Sequence, residues 1–528
     1  MSTAFKLTYS TMFDPPASLH ERFERAVERV RGRLGGQHAM WIGGRDARAH
    51  LQFDAKCPID TRVVLGRFQA GDSVHAHEAV ETARRAYPAW AATPWTERVA
   101  ILRRAVELIE ERVFDIGAVL ALEVGKNRME ALGEAQETAD LIAYYCDQME
   151  ASDGYQRAML ADPLTGFASE NTSVLKPHGA WVVIAPFNFP FALAGGPSGA
   201  ALVAGNTVVF KAASFTPWSG RLLAEAMRDA GVPPGVFNYI TGPGASLGDA
   251  LVNDTGVAGV TFTGSSAVGM QLYRTFANGR WPRPCIAEMG GKNATIVSRH
   301  ASLRDAAIGV ARSAFGLSGQ KCSACSRVFV EQPVFADFVA ALHEATLAIG
   351  VGDPTQRENW MGPVIDAAAV ARYEDSVAQV VATGDGGGMV EGGARLDHGD
   401  LAHGHFVAPA IARAPLEHPL WRREIFAPFV LAGAVSSIDE GFARANAVDY
   451  GLTAGFYGAP DETERFFDVI EAGVCYANRP QGATTGAWPG YQPFGGWKGS
   501  GSTGKSAGSM HYLPQYLREQ SQTRVRRA

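Results

Sequence analysis

The sequence predicts an α/β protein built from two successive units of parallel sheet with packed helices. Three observations support this fold class: the length of 528 residues, the composition, and a regular alternation of strand-like and helix-like segments after Val174. The chain is 46% hydrophobic and 19% charged, with 59 glycines and 28 prolines, which is typical of globular proteins rich in turns and excludes disorder and collagen. A chain of this length is expected to form roughly two to four structural units.

The first predicted elements are helices. Between residues 74 and 124 small and apolar residues recur at steps of three and four, and a further helix is expected over residues 128–149. Ahead of them, Trp41-Ile42-Gly43-Gly44 predicts a short strand and turn.

Strands then alternate with helices. The predicted strands cover 181–185, 207–210, 236–240, 257–262, 294–297 and 327–330, and the predicted helices cover 220–230, 303–315 and 335–349. This spacing is the signature of a parallel sheet with helices on its faces. The final part of the chain, rich in Gly, Pro and Trp, is expected to form loops and an extended tail.

The net charge and the number of cysteines restrict the kinds of partner and the cellular location that we expect for this protein. The net charge is −6 and the basic residues are scattered, so the sequence predicts a small-molecule substrate and no nucleic-acid partner. Residues 179–210 carry no charge, but prolines and glycines break them, which predicts buried strand, loop, helix and strand and no membrane span. Six cysteines and an amino terminus without a secretion signal predict a cytoplasmic protein in a reducing environment.

Cys322 stands among small and polar residues, with Gly319 and Lys321 before it and Ser323 after it. A structural cysteine is more often surrounded by apolar residues, which raise its pKa and leave it inert. We therefore interpret Cys322 as a nucleophile, kept reactive by polar, electropositive surroundings or by an activating base.

Four short blocks contain the residue types that oxidation of an aldehyde through a thioester requires. They are Pro186-Phe187-Asn188-Phe189-Pro190, Glu288-Met289-Gly290-Gly291-Lys292, Gly319-Gln320-Lys321-Cys322 and Glu424-Ile425-Phe426-Ala427-Pro428. In this order they resemble the NAD(P)-dependent aldehyde dehydrogenase superfamily, from about Asp72 to the carboxyl end. The resemblance implies that Cys322 attacks the aldehyde and that Glu288 is the general base for the hydrolytic water. The Asn188 amide and the Cys322 N–H would stabilise the oxyanion.

The same resemblance implies a binding site for NAD or NADP. The expected cofactor residues are Lys211, Ser214, Gly244, Gly264, Ser265, Glu424 and Phe426. Lys211 matches the family position at the adenosine ribose, and Glu424 the position at the nicotinamide ribose. The strand-to-helix turn at Gly264 and Ser265, with the neighbouring turn at Gly244, is expected to present backbone N–H groups to the diphosphate.

The sequence departs from the family pattern after Lys211. Ala212, Ala213 and Ser214 follow, where the common pattern has a proline and, three positions on, an acid. A carboxylate there accepts a hydrogen bond from the ribose 2′-OH and repels a 2′-phosphate, and Ser214 does neither. The sequence therefore predicts that NADP is at least tolerated.

Within the superfamily, the sequence most closely resembles the 1-pyrroline-5-carboxylate dehydrogenases, which oxidise L-glutamate γ-semialdehyde to L-glutamate. The supporting segments are Glu123-Val124-Gly125-Lys126, Ser323 after the nucleophile, Thr485-Gly486-Ala487 and Phe494-Gly495-Gly496. In this reading Ser323 and the backbone N–H groups of Gly486 and Ala487 bind the substrate carboxylate. Phe189 and Phe494 enclose its methylenes.

The resemblance also implies a three-part architecture. A Rossmann-like cofactor domain is expected over residues 1–155 and 178–288, and a catalytic domain over 289–490. A small β arm over 156–177 and 505–528 is expected to join copies into a homodimer or a larger homo-oligomer.

Other functions remain open at this point. One is a general or different semialdehyde dehydrogenase; another is an enzyme that passes the thioester to coenzyme A, which retention of Glu288 disfavours. A noncatalytic protein on the same fold would be expected to have lost Cys322, Glu288 or Asn188. Cys322 and Cys325 also form a C-x-x-C pair, but a zinc site would need further ligands nearby, so no metal is expected.

Overall fold

Two seven-stranded sheets organise the chain in the computed structural model, which describes residues 15–384, 386–482 and 488–527. Helices alternate with the strands of both sheets, so the predicted α/β fold class is confirmed.

The amino-terminal part supplies small elements that pack around the first large sheet. They are helix α1 (Ala17–Arg31) and strands β1 (Gly36–His38), β2 (Met40–Ile42), β3 (Arg45–Ala47), β4 (Gln52–Lys56) and β5 (Val64–Gln69). Strands β1, β5 and β4 form a separate sheet, and β2 and β3 form a hairpin. Gly43 and Gly44, at φ 63° and 82°, make its two-residue turn, which confirms the predicted strand and turn.

Four long helices follow. They are α2 (Ser73–Ala92), α3 (Trp95–Glu111), α4 (Val113–Val124) and α5 (Arg128–Ala151). Asp72 caps α2 by accepting from two backbone N–H groups, and Asn127 caps α5 in the same way. The helical pattern predicted over 74–124 is divided after α2 because Pro94 disfavours helical backbone at the residue before it.

The first large sheet carries five parallel strands. The next elements are β6 (Gln156–Ala158) and β7 (Phe167–Pro177), then β8 (Ala180–Ile184), α6 (Ala192–Ala204), β9 (Thr207–Lys211), α7 (Pro217–Asp229), β10 (Phe237–Ile240), α8 (Asp249–Asn253), β11 (Val257–Thr263), α9 (Ser266–Ala277) and β12 (Cys285–Glu288). The strand order is β12-β11-β8-β9-β10-β2-β3, in which β8 to β12 run parallel to their neighbours within that group.

The uncharged residues 179–210 form β8, α6 and β9, as their proline and glycine breaks predict. Among the described residues, no helix has the length and apolar character needed to cross a membrane.

The second large sheet follows. Its part of the chain comprises β13 (Asn293–Val297), α10 (Leu303–Phe315), β14 (Cys325–Glu331), α11 (Phe335–Leu347), α12 (Ala367–Val381), β15 (Gly388–Glu391), β16 (Ala410–Arg413), β17 (Phe429–Val435), α13 (Ile438–Asn446), β18 (Tyr450–Gly451), β19 (Thr453–Tyr457), α14 (Pro460–Val469), β20 (Val474–Ala477) and β21 (Trp497–Lys498). The order is β15-β16-β17-β14-β13-β19-β20, and β18 pairs separately with β21.

A three-stranded arm closes the chain. Strand β22 (Leu517–Arg527) pairs antiparallel with β7 along its whole length, and β6 lies on the other side of β7. The tail is anchored in the first large sheet because the Tyr516 hydroxyl lies 2.9 Å from Thr261 Oγ1 and donates to the Tyr512 hydroxyl at 3.0 Å. The predicted extended tail therefore pairs within its own chain.

Candidate active site

Three of the predicted site residues lie at one edge of the first large sheet. Asn188 follows β8, Lys211 ends β9 and Glu288 ends β12. Parallel pairing places Ile184 opposite Lys211 and Thr263 opposite Glu288, so these strand ends lie side by side. Ligands of open parallel sheets bind at this carboxyl edge, and the backbone topology alone gathers these side chains there.

Cys322 lies in the nucleophile loop (residues 316–324), whose backbone is unusual. Leu317, Ser318 and Gly319 follow one another at φ 49°, 54° and 67°, in the left-handed region that residues other than glycine seldom adopt. A Cβ on Gly319 would come within 2.1 Å of the Ala427 carbonyl oxygen, so only glycine fits there. This loop is held by its surroundings and not by local preference.

A hydrogen bond joins the nucleophile loop to the amide loop (residues 185–191). The Asn188 side chain is buried, and its Nδ2 donates to the Gln320 carbonyl at 2.8 Å. An amide nitrogen carries two N–H groups, so one remains for an oxyanion. On the other side, Asn293 Nδ2 donates to the Cys322 carbonyl at 2.6 Å. The structure thus brings Asn188 to the backbone two residues before the nucleophile.

The surroundings of Cys322 favour the protonated thiol. Burial, followed by the carboxylates of Glu424 and Glu288, raises the pKa of Cys322 to about 12. Lys321 is itself buried, and burial lowers the pKa of its ammonium to about 8. Of the two possibilities raised by the sequence, electropositive surroundings receive no support, because the carboxylates of Glu424 and Glu288 raise the pKa of the thiol. An activating base, the other possibility raised by the sequence, is what this thiol requires.

Glu288 has the environment of a base. Burial raises the pKa of its carboxyl group to about 8. Its Oε2 is buried and has no hydrogen-bond partner among the described residues. The Gly264 N–H donates to the Glu288 carbonyl at 3.1 Å, which attaches this strand end to the turn after β11.

Glu424 reaches the same region from the second large sheet. Its Oε1 accepts the Gly291 N–H at 2.8 Å, and burial raises the pKa of its carboxyl group. A Cβ on Gly290 would come within 2.3 Å of Glu424 Oε2, so the glycine pair makes room for this carboxylate. Phe426, at φ 56°, packs edge-on against Phe187 with ring centroids 5.9 Å apart. This contact joins the Glu424 segment to the amide loop.

Lys211 and Ser214 lie near the carboxyl end of β9. Lys211 is buried, its Nζ donates to the Ala212 carbonyl at 3.0 Å, and burial lowers its pKa to about 8. Ser214 is exposed, and its hydroxyl donates to the Gly242 carbonyl at 3.2 Å. A buried ammonium next to an exposed hydroxyl fits a nucleotide ribose.

The structure contains the strand-to-helix turn at Gly264 and Ser265 that was predicted to bind the cofactor diphosphate. Strand β11 ends at Thr263 and helix α9 begins at Ser266, and the Ser265 hydroxyl accepts the Val268 N–H at 3.5 Å. Gly244 begins a short turn of exposed residues, and no described atom lies within 4 Å of the position its Cβ would take. The open turn and the first N–H groups of α9 suit an anionic diphosphate.

The predicted substrate residues are only partly brought together. Phe189 is buried, and Phe494 packs against the same apolar cluster while its backbone pairs with Ala507. Ser323 is buried, and its carbonyl accepts from the Thr453 hydroxyl at 3.3 Å. Enclosure of a substrate between the two phenylalanines stays a prediction, and Gly486 and Ala487 lie outside the described residues.

Sequence reasoning missed a cluster of buried charges beside Phe189. Lys126 Nζ lies 3.4 Å from the centroid of the Phe189 ring and 2.6 Å from Glu134 Oε2. A small cavity next to it is lined by Glu130, Gly133, Glu134, Glu137, Phe189, Leu317 and Trp488. The signal available in the sequence was the helical spacing of the acidic residues Glu130, Glu134 and Glu137 in the predicted helix over 128–149.

Cys325 belongs to the core of the second sheet. It begins β14 and is buried, and its Sγ lies 3.3 Å from Thr295 Oγ1. Burial raises the pKa of its thiol. Cys325 is thus a small buried residue of this core.

The fold and site define an α/β enzyme in which a cysteine nucleophile lies between a nucleotide-binding sheet edge and a second parallel sheet. The aldehyde dehydrogenase family model matches residues 45–521, and the chain belongs to this family. The predictions of the family, the fold and an NAD(P)-dependent aldehyde dehydrogenase are confirmed.

Similar proteins cover almost the whole chain. It is 36% identical over 505 residues to the 1-pyrroline-5-carboxylate dehydrogenase of Geobacillus thermodenitrificans, covering 94% of each chain. It is 34% identical over 525 residues to the 1-pyrroline-5-carboxylate dehydrogenase 2 of Bacillus subtilis, covering 98% of each. The crystal structure of the Thermus 1-pyrroline-5-carboxylate dehydrogenase with bound NAD has a TM-score of 0.91 at 30% identity, covering 99% of this chain and 98% of that one. The predicted resemblance to this group is therefore confirmed.

Proposed function

We propose that the chain oxidises L-glutamate γ-semialdehyde to L-glutamate with NAD or NADP. The observation that carries the proposal is the meeting of Asn188, Glu288 and Cys322 at the carboxyl edge of the first sheet. The full-length relatives named as 1-pyrroline-5-carboxylate dehydrogenases support the choice of aldehyde.

The three residues divide the chemistry of the thiol, the oxyanion and the water. Glu288 accepts the Cys322 proton, directly or through a water, and the thiolate sulfur bonds to the aldehyde carbon. The remaining Asn188 N–H and the Cys322 N–H stabilise the oxyanion. The nicotinamide cofactor, when bound, supplies the hydride acceptor. Glu288 gives up the Cys322 proton to solvent and, ionised again, removes a proton from the water that attacks the thioester. The carbon–sulfur bond then breaks, which releases the carboxylic acid and the Cys322 thiolate.

The residues at the sheet edge fit the cofactor. Lys211 and Ser214 would hold the adenosine ribose, and Glu424 with Phe426 the nicotinamide side. The turns at Gly244 and at Gly264-Ser265 would hold the diphosphate. The open space at Gly244 and the first turn of α9 support this assignment.

The substrate assignment uses the pocket next to Phe189. Ser323, Gly486 and Ala487 would bind the substrate carboxylate, and Phe189 and Phe494 its methylenes. Burial of Phe189 and Ser323 supports a desolvated pocket close to Cys322.

The division into domains and the assembly are also proposals. The two large sheets support a cofactor domain over 1–155 and 178–288 and a catalytic domain over 289–490. The separate sheet of β6, β7 and β22 supports an arm over 156–177 and 505–528 that joins copies into a homodimer or larger homo-oligomer. With six free thiols, the protein would function in a reducing cytoplasm.

A rate survey tests the proposed function. We expect kcat/KM for glutamate γ-semialdehyde to exceed that for simple aliphatic aldehydes, and Cys322→Ala to abolish turnover of all of them. Efficient oxidation of aliphatic aldehydes without turnover of the semialdehyde would refute the substrate. Formation of an acyl-thioester after addition of coenzyme A would refute hydrolysis as the second step.

A further inference from the structure

One face of α5 contacts both loops that carry the reacting groups. Glu130 Oε1 accepts the Leu317 N–H at 2.8 Å, in the nucleophile loop. One helical turn further on, Glu134 Oε1 accepts the N–H groups of Phe191 and Ala192 at 2.8 and 3.2 Å, where the amide loop enters α6. Two carboxylates on one rigid helix therefore bind the backbones of both loops.

Each carboxylate also faces a buried lysine that belongs to the site. Lys126 forms an ion pair with Glu134 at 2.6 Å, both side chains are fully buried, and the ammonium lies 3.4 Å from the Phe189 ring centroid. Glu130 attracts Lys321, the residue before the nucleophile. The Glu130 carboxylate thus faces a lysine of the nucleophile loop, and the Glu134 carboxylate pairs with a lysine that contacts the amide loop through the Phe189 ring.

The nucleophile loop needs such support because its backbone is unfavourable on its own. Leu317 and Ser318 both have positive φ, and such backbone persists only where surrounding groups hold it. The Ser318 hydroxyl donates to the Gly362 carbonyl at 2.7 Å, whereas Leu317 donates to the Glu130 carboxylate. Hydrogen bonds to a carboxylate are stronger than those to a neutral acceptor. Glu130 is thus well suited to set the position of the loop.

We propose that Glu130 and Glu134 are positioning residues with separate effects on the reaction. Glu130 holds the nucleophile loop for attack, and Glu134 with Lys126 holds Phe189 at the substrate. The inference deepens the proposed function, because it rests on Cys322 as nucleophile and Phe189 as substrate contact. Neither acid is proposed to touch the reacting atoms, so each acts through its loop.

The test of Glu130 is a comparison of Glu130→Ala with Glu130→Gln. We expect Glu130→Ala to lower kcat about 10- to 100-fold with KM within about threefold, since a displaced loop misplaces the sulfur. Alkylation of Cys322 by iodoacetamide, followed by mass spectrometry without substrate or cofactor, should slow in parallel. Glu130→Gln keeps an oxygen acceptor for the Leu317 N–H and should recover most of both rates.

Replacement of Glu134 is expected to change KM and leave kcat nearly unchanged, which is the reverse of the effect expected for Glu130→Ala. Glu134→Gln keeps an acceptor for the amide loop but removes the charge that holds Lys126 over Phe189. We expect KM for the aldehyde to rise about tenfold, kcat to stay within about threefold, and Cys322 alkylation to be unchanged. If the lone Lys126 charge prevents folding, the double variant Lys126→Met/Glu134→Gln should fold and still show the raised KM.

Glu123 provides a matched control. Its two carboxylate oxygens accept the Trp218 and Ser219 N–H groups at 2.6 and 3.0 Å, at the start of α7, and these hydrogen bonds reach neither loop. Glu123→Gln is expected to lower the melting temperature while kcat, KM and alkylation stay within about twofold of the wild type.

Several results would overturn the inference. One is an unchanged rate of Cys322 alkylation in Glu130→Ala. Another is a change in kcat and KM by equal factors in both Glu130→Ala and Glu134→Gln. A third is a change in kcat or KM in the Glu123→Gln control as large as that in either variant. A wild-type chain that ignores glutamate γ-semialdehyde would refute the proposed substrate instead. The alkylation comparison requires no substrate and would still test Glu130.

Discussion

At the scale of single residues, Glu288 and Cys322 determine the protonation state of the resting site. Burial raises the pKa of Glu288 to about 8, and burial with two nearby carboxylates raises that of Cys322 to about 12. At neutral pH both groups therefore hold their protons. Because the base must be ionised to act, the reactive fraction increases as the pH rises through the pKa of Glu288.

This order of titration predicts the pH dependence of turnover. We expect kcat to rise with pH through about 8, the range in which Glu288 loses its proton. Glu288→Gln should lower kcat by about 100- to 10,000-fold and remove this rise. Steady-state rates across pH measure both effects, with Glu464→Gln, an exposed position on α14, as the control. A rise of unchanged size in Glu288→Gln would contradict the role of this base.

Ser214 leads to a prediction about the cofactor. Ser214→Glu adds a carboxylate that should repel a 2′-phosphate, so we expect kcat/KM for NADP to fall about tenfold or more relative to NAD. Ser214→Gln, which adds similar bulk without charge, should change the ratio much less. Initial rates at equal low cofactor concentrations give the comparison. A wild-type preference for NAD above about a thousandfold would contradict the prediction that NADP is tolerated.

At the scale of elements, the nucleophile loop depends on a glycine that no other residue can replace. Gly319 has φ 67°, and its Cβ position lies 2.1 Å from the Ala427 carbonyl oxygen. An added methyl group must displace either the loop or the segment before β17. The loop geometry and the packing of the second sheet are therefore coupled at this residue.

Gly319→Ala should reduce activity at least about 100-fold, because displacement of the loop moves the Cys322 sulfur. Gly384→Ala is the matched control: Gly384 has φ 68°, but no described atom lies within 4 Å of its Cβ position. The control should lose stability of about 1–2 kcal/mol from backbone strain alone and keep its activity. Comparable activity losses in the two variants would contradict the clash argument. Turnover and thermal unfolding measure the two effects.

The sequence predicted helices and strands well where they depend on residues close together in the chain. The strand predicted over 207–210 leads directly to Lys211, and parallel pairing places its end at the same sheet edge as Glu288. The pKa of Cys322 and the ion pair of Lys126 with Glu134 depend on burial and on contacts between segments distant in the chain. No periodicity in the sequence contains that information. The left-handed backbone at Leu317 is likewise imposed by tertiary contacts.

At the scale of the whole molecule, the arm is built from β6, β7 and β22, apart from both large sheets. Many side chains of β7 and β22 are exposed in the single chain, including Phe167 and Val525. An exposed sheet of this kind is suited to pair or pack with another copy. The proposed homo-oligomer would cover this surface.

Removal of residues 517–528 tests the arm. The truncated chain loses β22, so β7 keeps an unpaired edge, and we expect the assembly to dissociate or to aggregate. Light scattering gives the mass of the particle, and thermal unfolding checks that the large sheets remain folded. A truncated chain with the mass of the wild-type assembly would contradict the proposed role of the arm.

The pairing of β7 with β22 also has a consequence for biosynthesis. The part of the chain between β7 and β22 contains strands of both large sheets. During translation β7 therefore leaves the ribosome long before its partner exists, and one of its edges stays open while most of the protein folds around it. Tyr516 and Thr261 then join the tail to the first sheet. Docking of the tail should therefore be a late step in folding, and nascent chains should be most prone to aggregation before it occurs.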